Sequence, residues 1–436
     1  MNAHSYQAVH PFSYMPPPEQ MKEHPFICLE RGQGSWVYDT EGNQYLYATT
    51  AVPSVGLGNP RVIERMVQQL QTLSFGSTCE QTHPLLIQLA DRILKLSGNG
   101  YDRVFFSNDG SGAVETAMRF SRQYFAQRGE SRRQKFISLE GAYHGTTYGS
   151  GSVTHLGIQE SFGKGLDGCV RVPAPNLYRP PIKGDPDFIV KFCLDVLEEV
   201  IHEEHPHSIA AVLIEPIQGV NGIIPLPAAY ITGVRDITRK YGIHLIVDEV
   251  ATGVGRTGQW LASHCYGIEA DFVALSKGLT GGFFPMGATL LHKEIGESLF
   301  GKGGIFLHGS TQSGHPVGCA AALETLDILQ DENLMQNARE LGAYILQRFQ
   351  EEFIQHPNVG DIRGMGLMLA IEFVSQQATK EPVSYEWGAR FSAALKREGI
   401  LGNFFNSILL MYPPLNLTKD EAEFLVKGVL AAVRSM

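Results

Sequence analysis

The residues with the most chemistry to offer in this sequence sit just after short apolar runs. The run Phe272–Leu275 leads into Ser276-Lys277-Gly278, and Leu245–Val247 leads into Asp248-Glu249. Ile209–Ile214 leads into Glu215-Pro216, Phe136–Leu139 into Glu-Gly-Ala-Tyr143-His144-Gly, and Val104–Phe106 into Ser-Asn-Asp-Gly110-Ser111-Gly112. Lys277 lies between apolar and glycine-rich sequence with no acid nearby in the chain. A desolvated lysine has a lowered pKa, which imine formation requires. An aspartate such as Asp248 can keep a heterocyclic nitrogen protonated through a charge-assisted hydrogen bond, and a lysine on the next strand can form an imine with the same ring. The segment 108–112 opens a helix, so its N–H groups suit a phosphate, although a plain turn capped by Ser111 reads equally well.

Two other patterns carry less. Gly253-Val-Gly-Arg-Thr-Gly258 matches the dinucleotide spelling G-x-G-x-x-G, but Asp248 and Glu249 stand at the strand end and no acid follows at the required distance. The 15 histidines contain no HExxH pair, and single ones such as His244 read as satisfied core residues, so no metal is expected.

Positioning these groups requires strands that alternate with helices. Between the first two apolar runs, Val114, Met118, Ser121 and Phe125 fall on one helical face. Such alternation predicts a mostly parallel sheet covered by helices, with five polar strand ends on one rim, where open α/β sheets bind ligands. Two alternating runs about Glu41-Gly42-Asn43 predict a hairpin, and the sequence after residue 325 predicts a long helical region followed by a smaller α+β unit. The expected organisation is an N-terminal arm over 1–30, a small domain from 31–70 with 326–436, and a large domain over 71–325.

Composition is that of an ordinary globular protein. The chain has 436 residues, 43% hydrophobic and 18% charged, with a net charge of −10 that disfavours nucleic acid as a partner. No segment reads as a secretory signal or is apolar enough to span a bilayer. The six scattered cysteines read as small buried hydrophobes in a reducing compartment, so a cytoplasmic location is expected.

The motifs SNDGSGAVETA, AYHGTTYGS, IEPIQGVNGIIPLP, VDEVATGVGRTG, LSKGLTGGFFPMGA and HGSTQSGHPVGCAAAL, in this order, resemble the class III aminotransferases, which use pyridoxal 5′-phosphate (PLP) on a type I fold. The resemblance spans nearly the whole chain and is strongest to the ω-aminotransferase (amine–pyruvate) branch. It implies Lys277 as the Schiff-base lysine and proton shuttle, Asp248 as the partner of the ring nitrogen, and Val250 and Tyr143 on the two ring faces with His144 beside them. It further implies Gly110 and Ser111 as a phosphate cradle, Glu215 as a supporting acid, and Thr311 as a phosphate contact reaching across a homodimer.

Departures from the family pattern bear on substrate. Gly112 stands where most members have Glu, Gln312 where an aromatic is usual, and Ala251 where ornithine-type members have glutamine. The carboxylate-binding arginine before the C-terminal Pro-Pro is replaced by Leu410, and the flexible-arginine position falls near Asn403. Arg179 and Arg363 are candidates to replace it, and each could equally be structural. The reading that follows is ping-pong transfer between an amine lacking a nearby carboxylate and a keto acid or aldehyde, with pyruvate as the keto-acid partner. A racemase, decarboxylase or aminomutase on the same scaffold, or a non-catalytic PLP-binding regulator, stand as alternatives. Phe12, Tyr14 and Phe26 of the arm either line the pocket or tether a surface arm.

Overall fold

A computed structural model of the protein describes residues 9–13 and 26–436. Seven strands form the sheet that carries the polar strand ends. Their spatial order is Tyr101–Ser107, Gly287–His292, Phe272–Leu275, His244–Asp248, Ile209–Ile214, Lys135–Leu139 and Cys169–Val172. All run parallel except Gly287–His292, which pairs antiparallel with both of its neighbours. Ile209–Ile214 is buried at every position, as a continuous apolar strand covered on both faces must be.

The helix Gly110–Gln127 packs on this sheet through its predicted face: Val114, Met118, Ser121 and Phe125 are all buried. Its N-cap is Asp109, whose carboxylate accepts the Gly112 N–H at 2.6 Å, and not Ser111. Asp109 is the cap because it stands just before the first helical residue, where its side chain reaches the Gly112 N–H, whereas Ser111 already lies inside the first turn. Ser111 is thereby left with its hydroxyl facing the loop at Thr146, accepting that residue's N–H at 3.3 Å.

The second sheet joins the two ends of the chain. The predicted hairpin forms, pairing Trp36 with Leu46 and Tyr38 with Gln44. Its strand Gln44–Ala48 then runs parallel to Ile400–Phe405, followed in order by Ile408–Met411, Met368–Gln376 and Val359–Met365. The helical stretch after residue 316 is two helices, Pro316–Asp331 and Leu334–Phe353, interrupted where Asn333 takes a left-handed φ of 52°.

The six cysteines are all free, but only Cys193 and Cys319 are buried and Cys169 is half-buried. Cys28, Cys79 and Cys265 are exposed, so the expectation of small buried hydrophobes fails for these three. Among the described residues no helix is long and apolar enough to cross a membrane, and no cluster of three potential metal ligands occurs.

Candidate active site

Strand register brings the polar ends together. Val247 pairs with Ile214 and Asp248 with Ala274, so Asp248 sits beside Glu215 on one side and beside the turn that carries Lys277 on the other. The strand Lys135–Leu139 lies next to Ile209–Ile214 and delivers Tyr143 and His144 to the same rim.

Asp248 is buried, with 5% of its surface exposed. One carboxylate oxygen accepts the Val250 N–H at 2.9 Å, and the other lies 2.9 Å from His144 Nδ1. Burial alone would push the His144 imidazole down, but the hydrogen bond and charge of Asp248 outweigh it and raise the pKa above its ordinary value. The His144 backbone is fixed by its N–H on Thr154 Oγ1 at 2.8 Å. Its Nε2 is buried without a hydrogen-bond partner.

Glu215 is equally enclosed. Its two oxygens accept the N–H groups of Tyr143 and Gly219, each at 3.0 Å. Loss of water pushes its carboxyl up to about 7, a shift opposed by the nearby His144 and reinforced by Asp248. Glu249, by contrast, turns away from the cleft. It accepts Thr252 Oγ1 at 2.6 Å and the N–H groups of Ala262 and Ser263 at 2.9 and 2.7 Å, so its role is to hold the following loop.

Lys277 begins a short 3-10 turn in a left-handed conformation, φ 38°. A non-glycine residue there is uncommon and aims the side chain away from the direction a continuing strand would give it. Desolvation lowers its pKa, while the negative charges of Asp248 and Glu215 pull the other way. The amine is thus held nearer neutrality than a surface lysine.

These residues fit PLP by the chemistry they offer. A deprotonatable amine, a buried carboxylate for a ring nitrogen, the half-buried Tyr143 ring and a helix start converge on one rim. Gly110 is tight against Val250, since a Cβ there would fall 2.8 Å from Val250 Cγ1. Thr311 is not joined to this cluster: it is exposed, and its neighbour Ser310 accepts from Asn108 Nδ2 at 2.7 Å.

Both candidate arginines are already engaged. Glu372, 3% exposed, receives Arg179 Nε on one oxygen and Arg363 Nη1 on the other, the latter at 2.7 Å. Arg363 also binds Asp361 at 2.7 Å and the Gly222 carbonyl at 2.9 Å. With Leu410, Ile408, Val220 and Ile224, Arg179 and Glu372 line a cavity of about 310 Å³. Sequence reasoning missed Glu372, whose type and position gave no signal that two distant arginines would meet on it. It also missed Arg256, inside the decoy glycine motif: the side chain is buried and donates to the carbonyls of Leu367, Pro413 and Pro53. The arm reaches the rim, with Phe12 edge-on to Tyr143 at 6.2 Å and His10 stacked on Phe26 at 4.1 Å. Tyr14 lies outside the described residues.

The sequence profile described as Aminotransferase class-III matches residues 18–433. The chain belongs to the class III aminotransferases. It is therefore a transaminase, from a family whose members differ in specificity. It is 33% identical to adenosylmethionine-8-amino-7-oxononanoate aminotransferase of Geobacter sulfurreducens, covering 98% of this chain and 95% of that protein. It is 32% identical to putrescine–pyruvate aminotransferase of Pseudomonas aeruginosa, with 97% and 94% covered. Among solved structures, a PLP-bound amine transaminase from an uncultivated Pseudomonas species superposes with a TM-score of 0.94 at 35% identity, covering 98% of each chain. The fold is that of the PLP-dependent transaminases.

Proposed function

We propose that this class III aminotransferase binds PLP through Lys277 and moves the amino group of an amine lacking a nearby carboxylate to a small keto acid, pyruvate being the preferred one, or runs the reverse reaction on an aldehyde. The observation that carries the substrate reading is the ion pairing of Arg179 and Arg363 with Glu372, beside an apolar Leu410. A carboxylate needs an available cation, and the charge of both guanidiniums is already shared with a buried acid, which weakens their pull on a substrate carboxylate.

When bound, PLP supplies an electron sink for the carbon that loses its proton. Lys277, its pKa lowered by burial, takes that proton and returns it. Asp248 holds its charge against the ring nitrogen, with His144 donating to it from behind. Tyr143 and Val250 bound the two faces, and Gly110, Ser111 and the helix start hold the phosphate.

The active unit is a homodimer in which Thr311 completes the partner's phosphate site. Two features support this: Thr311 is exposed in one chain, and the helix Pro60–Thr72 exposes Ile63, Val67 and Leu70 as an apolar stripe, with Ile305 and Leu307 also exposed. The arm 1–30, the small unit 31–70 with 326–436 and the large unit 71–325 serve as the domain division, each larger unit built on one of the two main sheets. Cysteines free of disulfides suit a cytoplasmic location.

The test is the visible spectrum of the PLP-loaded protein. A yellow band that bleaches with terminal amines and returns with pyruvate supports the reading. Bleaching with α-amino acids alone would move the substrate to amino acids, and either absence of the band from PLP-loaded wild type or its unchanged persistence in Lys277→Ala would overturn the assignment of Lys277.

A further inference from the structure

Behind the cleft lies a strained loop that the reaction as described does not use. Gly222 has φ 117° and the buried, β-branched Ile223 has φ 55°. A β-branched residue in the left-handed region is an outlier, and such strain persists only where the surroundings over-determine it. The determinants are visible. The Gly219 carbonyl accepts the Ile223 N–H at 3.1 Å and the Tyr412 hydroxyl at 3.0 Å, while Arg363 Nε holds the Gly222 carbonyl at 2.9 Å.

Tyr412 is well placed to act as an anchor. It is 6% exposed, and its own N–H is tied to the Ala48 carbonyl at 2.8 Å, so it belongs to the second sheet and not to the loop. Three groups converge on Gly219: a Cβ built there would lie 3.6 Å from Tyr412 Oη, 3.6 Å from Ala251 Cβ and 3.8 Å from Glu215 Oε2. The same glycine that receives the tyrosine hydroxyl on its carbonyl presents its N–H, from the preceding peptide, to Glu215, whose other oxygen holds the Tyr143 N–H.

The geometry points to Tyr412 as a positioning residue for amino transfer, acting through Gly219 to orient Glu215 and through Glu215 to fix Tyr143 at the cleft. This rests on the proposed role of Tyr143. Losing the hydroxyl leaves the Gly219 carbonyl with backbone partners alone, and the loop can relax its strained turn. Glu215 then loses a fixed donor that favours its charged form.

The test compares wild type with Tyr412→Phe and Tyr412→Leu in the full chain. Without cofactor, amide hydrogen exchange at Tyr143 and Gly219 should quicken about three- to tenfold in Tyr412→Phe, the scale of one lost hydrogen bond. With PLP bound, the visible circular dichroism band should weaken, and the acid limb of the kcat/KM profile should move to higher pH. Combining Tyr412→Phe with Glu215→Gln should cost no more than Glu215→Gln alone, because both changes break one chain of contacts. Unchanged exchange in Tyr412→Phe, strict additivity with Glu215→Gln, or defects confined to Tyr412→Leu would overturn the proposal by assigning Tyr412 to packing only. A wild-type protein that binds PLP but transfers no amino group would refute the proposed function, while the exchange data would still decide the role of Tyr412.

Discussion

His144 Nδ1 lies 2.9 Å from Asp248 Oδ2, and this contact is sealed from solvent on both sides. The carboxylate is therefore braced from behind by an imidazole and from its own chain by the Val250 N–H, leaving its position independent of bulk water. The raised pKa of His144 shows that the pairing favours the protonated ring strongly enough to overcome burial.

That pairing makes a pH-dependent contribution to stability. Because the folded pKa of His144 lies above the ordinary value of 6.5, its contribution is complete below pH 6.5 and fades as pH rises through the raised folded value. The thermal midpoint of His144→Asn should fall furthest below wild type at low pH, with the gap closing at alkaline pH. Differential scanning fluorimetry of the apoprotein across pH 5.5–9 checks this; a gap that widens with pH would contradict it.

Glu215 shifts stability with pH in the same direction, although here it is the charged form that burial disfavours. Its folded pKa, about 7, exceeds the ordinary 4.5, so the folded state binds more protons and the ionised carboxyl costs stability as pH rises between those values. Glu215→Gln should thus gain in thermal midpoint relative to wild type as pH goes from 5 to 8. The full linkage is on the order of 3 kcal/mol. Activity should move separately, because glutamine can accept from only one of Tyr143 and Gly219 without reversing its amide.

Substrate choice should respond to Glu372. Replacing it with Gln removes the charge that both Arg179 and Arg363 share. The protein should lose stability, since Arg179 is left without its acid and Arg363 keeps only Asp361. In the folded fraction, KM for α-amino acids should fall about three- to tenfold relative to matched amines without a carboxylate. Equal changes for both donor types would show that these arginines do not read the substrate.

Arg256 should prove structural. Its guanidinium joins the carbonyls of Leu367 and Pro413, from the second sheet's side, to a segment that follows the central strand, and burial lowers its pKa to about 9. Arg256→Met leaves those carbonyls unsatisfied and should cost about 3 kcal/mol, read as a fall in denaturation midpoint. Retained PLP affinity in the folded fraction would separate this role from that of the cleft residues.

Much of the site was legible because chemistry at strand ends leaves a local mark. An apolar run followed by Lys277 or by Asp248 needs only the period of the strand and the polarity of the next residue to be recognised, and the parallel sheet follows from the alternation of such runs with helices. Glycines at 110 and 112 announced a helix start in the same local way, although the cap read from the sequence, Ser111, proved to be Asp109. Asp109 and Ser111 are both competent caps, and the choice depends on the direction in which the loop enters the helix.

What only the tertiary structure decided are the relationships between residues far apart in the chain. Glu372 meeting Arg179 and Arg363, Tyr412 meeting Gly219, and the parallel pairing of Gln44–Ala48 with Ile400–Phe405 carry no periodicity and no neighbouring partner. The sequence determined which groups could do chemistry and that they share one rim, since strand polarity and burial act over a few residues. Whether an arginine is free for substrate or closed on an acid depends on three-dimensional pairing, where desolvation selects partners that sequence distance does not reveal.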